Sequence, residues 1–164
     1  MAEEPMVIYV SGMISGNDRY KPTSDKSIIG LNSESGFEGV GLYIKEVSNV
    51  IVQNLKFSKV LAEAGDAVGL DQATNIWIDH NDFSSDMEHG KDYYDGLCDV
   101  THASDYVTIS NNYFHDHYKA SLVGHSDSNG DEDTGYLHVT YANNHWSNIN
   151  SRMPVSSSIS SHTM

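Results

Sequence analysis

Apolar and polar residues alternate in four eight-residue segments that align without gaps: VIVQNLKF at 50–57, IWIDHNDF at 76–83, VTISNNYF at 107–114 and VTYANNHW at 139–146. The first and third positions are apolar in every copy, Val50/Val52, Ile76/Ile78, Val107/Ile109 and Val139/Tyr141, a period of two that predicts short strands. The eighth is always aromatic (Phe57, Phe83, Phe114, Trp146), and the fifth is polar (Asn54, His80, Asn111, Asn143). The copies follow one another at 26, 31 and 32 residues, too short a period for a strand, full helix and strand unit. Stacked strand-turn-strand coils would bury the alternating positions in shared columns, pile the aromatics on one another and set the fifth-position amides in a ladder inside the turns. The expected fold is therefore all-β, a right-handed parallel β-helix. An antiparallel sandwich also has short, evenly spaced strands, but it does not explain why the polar turn residue and the aromatic recur together.

Later repeats are longer because of two polar, acidic, glycine-containing insertions, SSDMEHGKDYY after Phe83 and VGHSDSNGDEDTG after Leu122. Both read as loops on a rigid stack, where sites are usually built. The chain of 164 residues allows one domain, expected over 1–154, with a Ser-rich tail over 155–164 of disordered composition.

Charge changes the picture more than length does. With 23 acidic and 9 basic residues the net charge is −14, which disfavours nucleic acid and anionic membranes as partners. A polyanionic ligand would need a bound cation between itself and such a protein. No apolar run is long enough to span a membrane, and MAEEPMVIYVSG shows no basic leader, so no signal peptide is visible. Cys98 is the only cysteine; it excludes an intramolecular disulfide and reads as core filling.

Candidate chemistry gathers around the insertions. Asp66, Asp95 and Asp99 supply hard oxygens of the kind Ca²⁺ takes, against the plain alternative of a solvated acidic surface. Asp95 and Asp99, four apart, can share a face of extended chain. Asp127–Glu132 opens like a calcium-binding EF-hand loop but lacks its glycine and final glutamate and is rejected. His115 and His117 would fall on one strand face and could hold zinc, but with Cys98 far off and no HExxH motif a polar strand end is the favoured reading. GHSDS at 124–128 lacks the last glycine of a serine-nucleophile elbow. Lys119 and Arg152 stand out because cations are so scarce here.

WIDH at 77–80, YDGLCD at 94–99, SDYVTISNNYFHDHYKASLVGHSDSN at 104–129 and VTYANNHWSNINSRMP at 139–154 together resemble a pectate lyase of the secreted fungal kind, over residues 7–154. That resemblance implies the same β-helix and cleavage of α-1,4-polygalacturonate (pectate) by β-elimination, giving 4,5-unsaturated oligogalacturonides. It implies Asp66, Asp95 and Asp99 as Ca²⁺ ligands, Lys119 as the contact to substrate carboxylate, and Arg152 as the catalytic residue at the C5 proton. Whether Arg152 takes that proton or stabilises the enolate as a cation stays open, since arginine is normally always protonated. The resemblance also implies a secreted enzyme, and a monomer is expected unless the exposed solenoid end self-associates. Where it would have a second arginine the chain has Ser157, and the chain is about half the expected length, so it reads as truncated at both ends. Two further readings stand beside an active lyase: a catalytically impaired relative, and a β-solenoid that binds calcium or acidic polysaccharide without chemistry.

Overall fold

The computed structural model describes residues 3–126 and 128–156. Sixteen strands follow one another: β1 (Met6–Val10), β2 (Met13–Tyr20), β3 (Lys26–Gly30), β4 (Gly36–Lys45), β5 (Ser48–Gln53), β6 (Lys56–Ser58), β7 (Val68–Asp71), β8 (Thr74–Asp79), β9 (Asp82–Ser84), β10 (Cys98–Thr101), β11 (Asp105–Ser110), β12 (Tyr113–Lys119), β13 (Leu122–Val123), β14 (Val139–Ala142), β15 (His145–Ser151) and β16 (Val155–Ser156). A 3₁₀ turn lies at Ala62–Ala64, and one turn of helix, α1 (Gly130–Asp133), interrupts the second insertion, which is therefore not all loop. Among the described residues no helix is long and apolar enough to cross a membrane.

Every ladder between these strands is parallel. One sheet runs β1-β3-β5-β8-β11-β14, and the other β15-β12-β9-β6-β4-β7-β10-β13-β16. The second folds into two faces because the long β4 pairs with β6 through residues 36–38 and with β7 through residues 42–45. Gly39, at φ 71°, lies between the two halves, and a Cβ there would sit 2.1 Å from the Gly16 carbonyl oxygen. Each full coil thus places one strand on each of three faces, as in β8, β9 and β10, then β11, β12 and β13. This is the expected right-handed parallel β-helix. Val155 and Ser156, assigned from sequence to the tail, pair as β16 with β13; the rest of the tail, including Ser157, lies outside the described residues.

The core follows the sequence pattern. Val50, Val52, Ile76, Ile78, Val107 and Ile109 point inward and are buried, met from the third face by Val68, Leu70, Cys98 and Val100. The aromatics form a continuous pile, Phe37–Phe57–Phe83–Phe114–Trp146, at centroid spacings of 5.4, 5.1, 4.9 and 4.3 Å. Phe37 belongs to it although its coil lacks the eight-residue pattern. Lys26 takes the place below Val50 in its column, buried, and its ammonium donates to the Glu4 and Ser24 carbonyls at 2.8 Å each.

The amide ladder exists one position later than the pattern suggested. At the fifth position Asn54, His80, Asn111 and Asn143 adopt left-handed φ of 52–57° and are exposed. That corner breaks the strand period and turns the sixth side chain inward. Asn81 Nδ2 donates to the Val52 carbonyl at 2.9 Å and to Asn112 Oδ1 at 3.1 Å, and Asn112 Nδ2 donates to the Ile78 carbonyl and to Asn144 Oδ1. The Asn81, Asn112 and Asn144 side-chain Oδ1 atoms accept the Leu55, Asn81 and Asn112 backbone N–H groups, so these turn N–H groups are satisfied.

Candidate active site

The third face carries the site. Asp66 follows the 3₁₀ turn and precedes β7; Asp95 and Asp99 bracket the start of β10; Lys119 ends β12; Arg152 follows β15 in a left-handed corner, φ 62°. Parallel stacking brings these residues from four successive coils together. Asp99 stands opposite Gly69 in the β7–β10 register. Arg152 Nη1 lies 3.5 Å from Asp99 Oδ2, and Lys119 Nζ lies 3.3 Å from both Asp95 Oδ1 and Asp92 Oδ1. All five residues singled out from the sequence therefore meet at one place.

Two glycines make this packing possible, and sequence reasoning passed over them. A Cβ on Gly96 would lie 2.6 Å from Asp99 Oδ1 and 2.7 Å from Asp66 Oδ1. The two carboxylates thus reach one point, occupied only by a glycine hydrogen, and the Gly96 N–H donates to Asp66 Oδ1 at 2.8 Å. On Gly69 a Cβ would stand 3.0 Å from Asp66 Oδ2. The signal was available: glycine in or beside a strand marks close approach of another group. Asp92 was also missed, being one acid among many in its loop.

Burial sets the electrostatics. Burial, then the nearby Asp95, pushes the Asp66 carboxyl up to about 6, although the Gly96 N–H, Arg152 and Lys119 oppose the shift. Burial and Asp66 push Asp99 well above the ordinary range, against the Leu122 N–H and Arg152. Carboxyls that resist ionising beside two cations are short of positive charge, and an oxygen-only donor set of this kind suits a hard divalent cation. As the side chains stand, Asp95 turns to Lys119 and Asp99 to Arg152. Among the described residues no group of three or more His, Cys, Asp or Glu side chains is arranged to hold a metal ion. Cys98, buried beneath Asp99, has its thiol pushed up by burial and is a core residue.

The raised Asp66 pKa has a pH consequence. A carboxyl that binds its proton more tightly when folded favours the native state at low pH and loses that contribution as pH rises through about 6. His117, held near 4 chiefly by burial and then by Lys119, pulls the opposite way over the same range. The clean readout is therefore a difference. In chelator, Asp66→Asn is expected to gain in thermal midpoint over the parent as pH rises from 4 to 7. A difference independent of pH would contradict the burial of an ionising Asp66.

The two histidines do not share a face. Asp116 between them has φ 51°, which breaks the alternation. His115 Nε2 meets Asp82 at 2.8 Å and its Nδ1 meets Asp116 at 2.7 Å, whereas His117 is buried and accepts the Lys119 N–H at 2.9 Å. A zinc pair is not formed; His117 instead fixes the backbone that presents Lys119.

A family model described as pectate lyase matches residues 15–163. A probable pectate lyase A of Aspergillus fumigatus is 64% identical over 149 residues, covering 90% of this chain and 46% of the relative. A probable pectate lyase B of Aspergillus oryzae is 60% identical over 153 residues, covering 93% and 47%. The chain thus spans about half the length of the curated relatives it matches. Among solved structures, a pectate lyase from Bacillus sp. N165 in complex with trigalacturonate is similar at TM-score 0.84 and 33% identity, covering 93% of this chain and 51% of that one. A thermostable pectate lyase is similar at TM-score 0.86 and 26% identity, covering 93% and 56%.

Proposed function

The chain belongs to the pectate lyase family, and from that premise we propose that it cleaves polygalacturonate by calcium-dependent β-elimination. The observation that carries the reading is the meeting of Asp66, Asp95 and Asp99 with Lys119 and Arg152 on one face. The reaction passes the C5 proton of a uronate to solvent hydroxide, forms the C4=C5 double bond and expels the C4 glycosidic oxygen, which takes a proton from water as it leaves. Asp66, Asp95 and Asp99 are the residues that would hold Ca²⁺. Bound there, the ion would offset the repulsion between a polyuronate and a protein of charge −14 and would acidify the C5 proton through the uronate carboxylate.

The remaining work falls to two cations. Lys119, its backbone fixed through His117, holds a uronate carboxylate as a point charge. Arg152 presents a permanently charged guanidinium beside Asp99, where it stabilises the negative charge that builds up as the proton leaves. Acting on a wall polymer, the protein works outside the cell.

The test is release of 4,5-unsaturated product from polygalacturonate, followed by ultraviolet absorbance, with Ca²⁺ and then with chelator. Product that appears with Ca²⁺ and stops with chelator is expected. Product indifferent to chelator rejects the metal's part, and folded protein that releases none rejects the lyase reading.

A further inference from the structure

Of the nine basic residues, two are in the site and Lys26 is buried on backbone carbonyls. Three more surround a single ring on the same face. Arg19 Cζ lies 4.4 Å from the centroid of Tyr43, Lys21 Nζ 5.7 Å and Lys45 Nζ 5.9 Å. Lys45 has carboxylate partners, Asp71 at 3.1 Å and Glu46 at 3.7 Å, and the Tyr43 hydroxyl also donates to Asp71. Arg19 and Lys21 are exposed, and neither forms an ion pair with a described carboxylate. In a protein with 23 acidic residues, two neighbouring cations held on a ring without a counter-charge are positive charge left for something else.

Their place relates them to the carboxylates. Tyr43 is opposite Gly69, and Gly69 is opposite Asp99, so ring and carboxylate stand on one line two strand spacings apart, about 10 Å along the solenoid axis. Gly69 lies between, with the Asp66 carboxylate against it: a Cβ there would meet Asp66 Oδ2 at 3.0 Å and the Tyr43 ring at 3.6 Å. Arg19 reaches in from β2, its Nη1 3.4 Å from where a Cβ on Gly65 would be, next to Asp66.

We propose that Arg19, Lys21 and Lys45, gathered around Tyr43, form a separate subsite for the carboxylate of a more distant uronate of the same polymer, lying along the axis from the Asp66–Asp99 site. This rests on the reading of the chain as a polygalacturonate lyase. The subsite makes the protein prefer long oligomers, because only they reach both places.

Calorimetric titration of the full chain with hexagalacturonate and digalacturonate, in Ca²⁺, tests it. The parent and every variant carry Arg152→Gln, so that the ligand is not cleaved during the measurement. Arg19→Gln with Lys21→Gln is expected to weaken hexamer binding about tenfold and leave the dimer unchanged. Lys56→Gln with Lys59→Gln, which removes the same charge elsewhere, is expected to alter neither, and thermal midpoints report folding of each variant. The subsite is overturned if the first double variant binds hexamer like the parent, loses both oligomers equally, or is matched by the second. A parent chain that binds neither oligomer overturns the polygalacturonate reading, and the subsite with it.

Discussion

Replacing Arg152 by glutamine is expected to lower turnover on polygalacturonate by about 10²–10³-fold, the usual cost of removing one donor from developing negative charge. The backbone should not move, because the Arg152 carbonyl accepts the Ser121 N–H at 2.8 Å whatever the side chain. What goes is the guanidinium 3.5 Å from Asp99. On the proposed mechanism its loss acts twice: the developing enolate loses a cation, and Asp99, already pushed up by burial and Asp66, loses the guanidinium that opposes that shift. Lysine at 152 keeps the charge but not the planar fork, so it should fall between parent and glutamine variant. The assay is initial rate by ultraviolet absorbance at saturating Ca²⁺. Glutamine-variant turnover within tenfold of the parent would remove Arg152 from the catalytic role.

Truncating Phe83 to alanine should cost about 3–5 kcal/mol of folding stability, the range for a buried aromatic. Its ring is wholly buried and stacks between Phe57 at 5.1 Å and Phe114 at 4.9 Å, so the cavity opens in the middle of the pile. In a solenoid each coil is stabilised by its neighbours, and a gap at Phe83 weakens two interfaces at once. Trp146, half-buried and stacked on Phe114, touches one other member of the pile, so Trp146→Ala should cost less. Urea unfolding of the two variants at matched slope measures the difference. Equal losses would mean that the pile is not the element coupling the coils.

The aromatic pile was legible because strand-turn-strand octets repeat with an aromatic at a constant place, and in-register stacking then follows. Phe37 joined it without the octet, since its partner in register is Phe57 and registry, not local pattern, makes the neighbour. The amide ladder was predicted with the right chemistry at the wrong position, because a left-handed corner at Asn111 advances the inward direction by one residue, to Asn112. The same kind of corner at Asp116 separated His115 from His117. A period of two holds only while φ stays in the β region.

Composition and motif alone determined that this chain is a stack of short strands with too much negative charge to meet a polyanion unaided, and they named the five residues that gather on one face. The tertiary structure decided which of them touch. Asp99 and Arg152 are 53 residues apart in the chain, and it is the stacking of parallel coils at about 4.8 Å that makes them partners. Only that stacking shows why Gly69 and Gly96 must lack side chains, and only it carries Arg19 from β2 onto Tyr43. Local pattern fixes which side chains can face the same way; register between coils fixes which ones meet.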